Sequence, residues 1–136
     1  MSATEIFFIA GIVAGLMAFL AVLANRTGAG SAIVAAMLGA GFAAYTAVQI
    51  AQEGVVMFWT NHSQNLTGIQ VWWDLIIAVI LALFFIAPRA RKAGMNLPLW
   101  GVLVVSTASI GLLAMCARLF WLENARADEA AKPGAA

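Results

Sequence analysis

Apolar residues run through this chain in long blocks, and the few charges and turn residues mark where each block ends. A helix needs about 20 predominantly apolar residues to cross a bilayer. Four segments reach that length. The first covers residues 6–24, between Glu5 and Arg26, and the second covers 31–50, after the breaker Thr27-Gly28-Ala29-Gly30. The third covers 70–93 and the fourth 98–121. Joined by short connections, they predict an all-α integral membrane domain over residues 1–123, an up-and-down four-helix bundle. A short polar tail, 124–136, follows. The opening Met-Ser-Ala-Thr-Glu carries no Lys or Arg, and the apolar run after it is long enough to span, so it reads as a mature helix rather than a secretory signal.

Composition turns this pattern into an exclusion. Of 136 residues, 64% are hydrophobic and 10% charged, where soluble domains carry about 25% charge. A soluble chain this small leaves too much surface exposed to hide so much apolar area. A soluble enzyme, a nucleic-acid binder and a disordered tail protein are excluded. The net charge of +1 implies no polyelectrolyte partner. Cys116 and His62 are each the single residue of their kind, which rules out a bis-histidine haem or a multi-His/Cys metal site within one chain. A lipid or a carotenoid-type pigment remains as a ligand class.

Loop charges set the expected orientation. The first loop carries Arg26 and the third carries Arg89, Arg91 and Lys92, whereas the N-terminal stub and the 53–69 loop carry neither Lys nor Arg. The tail has Arg126 and Lys132, offset by Glu123, Asp128 and Glu129. The expectation is loops one and three inside, with both termini and the middle loop outside. Arg26, Arg89, Arg91 and Lys92 then meet lipid headgroups.

The middle loop contains Val55-Val56-Met57-Phe58-Trp59, too short to span and too apolar for a solvated connection. Trp59 and His62, with Trp72 and Trp73 before span three and Trp121 at the end of span four, predict one outer aromatic belt that serves as an interfacial anchor or partner surface. Small residues predict contact faces. Span one has Gly11, Gly15 and Ala18 on one stripe, and span two has Ala35, Gly39, Ala43 and Ala47, so these two are expected to pack closely. Span three, with Trp73, Phe84 and Phe85, fills the bundle or faces lipid or a partner.

Ionisable residues inside a span demand an explanation. Asp74 and Arg118 are the two candidates. If helix three runs through Pro88, both sit about 28–30 Å from the inner turn. A structural ion pair between them is the expectation, ahead of a catalytic or transport role. Glu53, His62 and Asp74 are a secondary proton or cation-site candidate.

One hairpin carries a resemblance. Trp73-Asp74-Leu75 opens a span that ends in Arg89-Ala90-Arg91-Lys92-Ala93-Gly94, and the next span contains Gly111-Leu112-Leu113. Over residues 70–124 this resembles a family of small uncharacterised bacterial inner-membrane proteins built on a domain of unknown function. More distantly it is similar to membrane proteins linked to carotenoid modification. The resemblance implies a bacterial inner-membrane location, and the family has no assigned activity to carry over. The leading expectation is a non-catalytic accessory or stabilising subunit of a larger membrane complex, or a lipid- or pigment-packing protein. The alternatives are a small transporter or channel using Asp74 and Arg118, and a membrane enzyme acting on an isoprenoid-type substrate. The expected partners are the bilayer and other membrane subunits.

Overall fold

The computed structural model describes residues 2–25 and 30–131. Arg26, expected at the headgroups, lies outside the described residues, as do Lys132 and the rest of the tail. Every regular element described is helical: α1 (Ala3–Ala24), α2 (Ala32–Glu53), α3 (Val56–Ser63), α4 (Leu66–Lys92), α5 (Leu97–Thr107) and α6 (Ser109–Ala130). Three of them, α1, α2 and α4, are long and apolar enough to cross a membrane.

Local chemistry explains the ends. Ser2 and Glu5 form a reciprocal capping box at the start of α1. Ser31 caps α2 by accepting from the Val34 N–H at 3.3 Å. The 53–69 segment is more ordered than a loop. After Gly54 the chain forms α3, and Asn65 caps α4 by accepting from the Gly68 N–H at 2.7 Å. Helix α4 therefore starts at Leu66, four residues before the expected span. Gly68 lets it pass α3 closely, because a side chain there would collide with the Asn61 carbonyl.

Helix α4 absorbs Pro88 in its last turns. It ends in a Schellman motif: the Met95 N–H reaches the Ala90 carbonyl at 3.0 Å and the Gly94 N–H reaches Arg91 at 3.1 Å. Gly94 takes the positive φ of 75° that this motif requires. Asn96 then caps α5, with Pro98 in its first turn.

The expected fourth span is not one helix. It breaks at Ala108, whose φ of 47° is the only positive value at a non-glycine among the described residues. Three features favour the break. The Ser106 hydroxyl donates to the Val102 carbonyl at 2.9 Å, the Thr107 hydroxyl donates to Leu103 at 2.7 Å, and both loosen the helix end. Gly111 supplies the third: a Cβ there would stand 2.6 Å from the Leu103 oxygen, so α6 folds back directly onto α5. The two helices form an antiparallel hairpin, and the up-and-down arrangement of four spans is replaced by three long apolar helices plus this hairpin.

The core lies where the hairpin meets α4. Ile86, Ala90 and Ala93 pack with Val104, Met115 and Leu119. The broadest packing in the molecule is between α2 and α6. There Ala35 and Gly39 are buried, and a Cβ on Gly39 would come 3.3 Å from that of Leu113. The Ala35–Gly39 part of the α2 stripe thus serves α6. Helix α1 has no buried residue, and among the described residues nothing lies within 4 Å of a Cβ built on Gly11 or Gly15. Its tie to α2 includes a Phe7–Tyr45 ring contact at 5.6 Å. The expected close pairing of spans one and two through Gly11 and Gly15 does not form. On α4, Phe84 and Phe85 point outward, 72% and 69% exposed.

Candidate functional site at the basic end

The hairpin returns the chain to the C-terminal end of α4, and that return builds the most elaborated polar cluster in the molecule. The Arg89 guanidinium, one turn before the end of α4, grips Glu123 of α6 by two hydrogen bonds, Nε to Oε1 at 3.0 Å and Nη2 to Oε2 at 2.5 Å. This forked, charge-assisted geometry is the strong form of an ion pair. The Phe120 ring lies 5.4 Å from the same guanidinium, within cation–π range. One turn beyond Glu123, Arg126 donates to the carbonyls of Lys92 and Ala93 at 3.1 and 3.2 Å. It satisfies the open acceptors and the negative dipole at the end of α4. Arg91 and Lys92 are exposed beside it.

Asp74 and Arg118 are not brought together. The Arg118 guanidinium sits over the Trp121 ring at 4.5 Å, and the ion pair that joins α4 to the C-terminal helix is Arg89–Glu123. The hairpin is the reason. Measured along the helices from the Arg89–Glu123 level, Asp74 lies about 22 Å away and Arg118 about 8 Å. The equal-depth estimate required an unbroken fourth span.

The aromatic residues divide in the same way. Trp72 and Trp73 lie on α4 near α3, where His62 packs on Trp72 with ring centroids 5.5 Å apart. Trp59 on α3 is 75% exposed. Trp121 instead belongs with the Arg89–Glu123 cluster, two residues from Glu123 on α6. The expected single belt is therefore two aromatic groups at opposite ends.

A cavity of about 380 Å³ opens next to Arg89, between the end of α1, the start of α2 and α6. Its walls are chiefly apolar, including Ala21, Val34, Leu38, Leu113 and Phe120, and Ser31 adds a hydroxyl. At the other end, Glu53 and His62 share a smaller cavity of about 180 Å³ with Tyr45, Gln49 and Phe58. There Gln49 donates to Glu53 at 3.4 Å, and the His62 Nδ1 lies 2.7 Å from the Phe58 carbonyl. Asp74 does not line it, so the three-residue site considered from sequence is not assembled. Among the described residues no three His, Cys, Asp or Glu side chains gather as a metal site would need.

No protein-family model, curated protein or solved structure matches the chain.

From sequence Arg89 is expected as a headgroup contact, and Glu123 and Arg126 as charges of the tail, so the Arg89–Glu123 pairing is not expected there. The signal for the pairing is the hydroxyl pair Ser106-Thr107 next to Gly111, three helix-weakening residues in the middle of an apolar run.

Proposed function

We propose that this chain is an integral inner-membrane protein of bacteria that acts without catalysis, as an accessory or stabilising subunit of a larger membrane assembly. Helix α1 is its docking element. The observation that carries the reading is the contrast between α1 and the rest: α2, α4, α5 and α6 pack on one another, whereas α1 buries no residue. Among the described residues none comes within 4 Å of a Cβ built on its Gly11 or Gly15. Lipid tails are as apolar as the side chains they would solvate, so membrane helices associate through close backbone approach at small residues. A helix face open at two glycines suits a helix from another subunit.

The disposition in the membrane follows from charge. Helix α5 rises about 16 Å, half of the roughly 30 Å hydrocarbon core, before turning at Ala108. Such a hairpin enters the bilayer and leaves by the same face. The C-terminal segment then shares a side with the end of α1, the start of α2 and the end of α4. Among the described residues that side holds every Lys and Arg, namely Arg89, Arg91, Lys92, Arg118 and Arg126, while Glu5, Glu53 and Asp74 lie toward the other. The positive-inside rule assigns the basic side to the cytoplasm. The reading is therefore N-terminus and α3 outside, C-terminus inside, in place of both termini outside. Aromatic residues near both ends, about 25 Å apart along α4, support two interfaces rather than one.

The test is purification of the tagged chain from its native membranes in mild detergent. A companion membrane protein in fixed ratio is expected, and Gly11→Leu with Gly15→Leu should release the chain from it while its helical circular dichroism and melting are retained. Recovery of this chain alone, as monomer or dimer, would overturn the reading.

A further inference from the structure

From the cavity beside Arg89 we infer a binding site for one anionic phospholipid, its acyl chain between α1, α2 and α6 and its phosphate at the basic end. The inference rests on the chain's membrane location and on the basic end lying at one interface. It does not depend on the accessory role.

Three features of this end specify the occupant. The cavity, about 380 Å³, falls in the size range of built ligand sites and has mainly aliphatic and aromatic walls. In a bilayer such a space is filled by what surrounds it, which is hydrocarbon. Its polar residues include Arg89 and Ser31, so they belong to the ends of α4 and α2 that face the headgroup region. Arg89 commits one N–H each of Nε and Nη2 to Glu123, and of the five N–H donors of a guanidinium the other three have no partner among the described residues that would compete with a phosphate oxygen. The charge around it selects for an anion: Arg91 and Lys92 are exposed on the next turn, and each basic residue at a membrane surface is worth about 1 kcal/mol toward acidic lipid.

The shape of the cavity also follows from the fold. Ala35 on α2 lies against α6, and a Cβ on Gly30 would collide with the Phe120 ring, so α2 and α6 are in contact along this stretch. Helix α1 contributes Ala21 and Val22 as the outer wall without closing on them. A lipid chain in that space would supply the contacts that α1 lacks.

The experiment uses the full chain in neutral detergent, with native mass spectrometry and thermal melting as readouts. Phosphatidylglycerol and phosphatidylcholine of identical chains are compared, with glycerol phosphate as the headgroup alone. We expect a one-to-one phosphatidylglycerol adduct and a raised melting temperature, with weaker effects of phosphatidylcholine. Ala21→Trp, which fills the cavity from the loosely packed helix, should abolish the adduct with both lipids. Arg91→Gln with Lys92→Gln should leave the cavity intact and weaken phosphatidylglycerol by about five-fold per charge removed. Equal binding of the two lipids would overturn the anionic selection, and an adduct that survives Ala21→Trp would overturn the cavity as the site. Protection by glycerol phosphate equal to that of the lipid would make it a plain anion site and overturn the lipid assignment.

Discussion

Arg89 and Glu123 stand 34 positions apart in the chain and hold each other through two parallel hydrogen bonds. Thirty-four residues of unbroken chain containing one apolar span would carry Glu123 to the far interface. The pairing is possible because the intervening segment goes in along α5 and comes back along α6. The fork is thus the clasp of the hairpin, and Arg126 on the α4 carbonyls is its second fastening.

Breaking the clasp has a measurable consequence. Glu123→Ala leaves the Arg89 guanidinium without its carboxylate, and the two side chains are 38% and 24% exposed, so solvent screens part of the loss. The expected destabilisation is about 1–2 kcal/mol, seen as a lower melting temperature in detergent. Exchanging the two charges, Arg89→Glu with Glu123→Arg, should recover part of it. Asp74→Asn, which removes no ion pair, should leave the midpoint where it was. A loss on Asp74→Asn equal to that of Glu123→Ala would show that the α4–α6 pairing is not the one described.

The turn itself is under strain. Ala108 adopts φ 47° and ψ −117°, a region glycine enters readily and alanine does not. Such a residue costs on the order of 1–3 kcal/mol. Ala108→Gly removes the strain but adds about 0.4–1 kcal/mol of unfolded-state entropy. The net expectation is a gain of about 1 kcal/mol, and Ala108→Val should lose at least as much. Thermal melts of the two variants check this. A loss for Ala108→Gly would mean that the segment is an ordinary helix in the membrane.

Close approach of α5 and α6 depends on one missing side chain. At Gly111 a Cβ would meet the Leu103 oxygen at 2.6 Å and its carbonyl carbon at 2.8 Å, both backbone atoms that have no freedom to yield. Gly111→Ala should therefore cost about 1–3 kcal/mol, the range for overpacking. Gly101, on α5, has open space where its Cβ would be, and Gly101→Ala should be neutral or slightly stabilising. Melting curves of the pair separate a packing effect from a general intolerance of change.

Much of the local structure was legible from the residues alone. Apolar blocks place three long helices to within four residues, and Gly94, Asn96 and Pro98 are the residue types that a helix stop and restart between α4 and α5 call for. These are short-range signals, fixed by capping and backbone geometry. The hairpin was not legible in the same way. Residues 98–121 have the length and apolarity of a crossing helix, and block length cannot distinguish one helix that continues from two that fold back. The decision rests on side-chain bonds from Ser106 and Thr107 and on contact at Gly111, which depend on three-dimensional approach. The Asp74–Arg118 expectation inherited that choice and failed with it. The small residues of α2 were recognised as a contact face, but a stripe does not name its partner, and α6 took the place expected for α1.

The sharpest test of the hairpin is which side of the membrane its end occupies. In a background of Cys116→Ala, which removes the only native thiol, single cysteines are introduced by Gln64→Cys after α3 and by Ala131→Cys after α6. An unbroken fourth span would put both on the same face, since two crossings would separate them. Folding back at Ala108 leaves a single full crossing, α4, between the two positions, and they fall on opposite faces. With an impermeant maleimide applied to intact cells, Gln64→Cys should label at once and Ala131→Cys only after permeabilisation. The charge distribution argues for the same result, because the α5–α6 return keeps Arg118 and Arg126 on the side of Arg89, Arg91 and Lys92. Labelling of Ala131→Cys from outside in intact cells would open the hairpin into a through-span and, with it, separate Arg89 from Glu123.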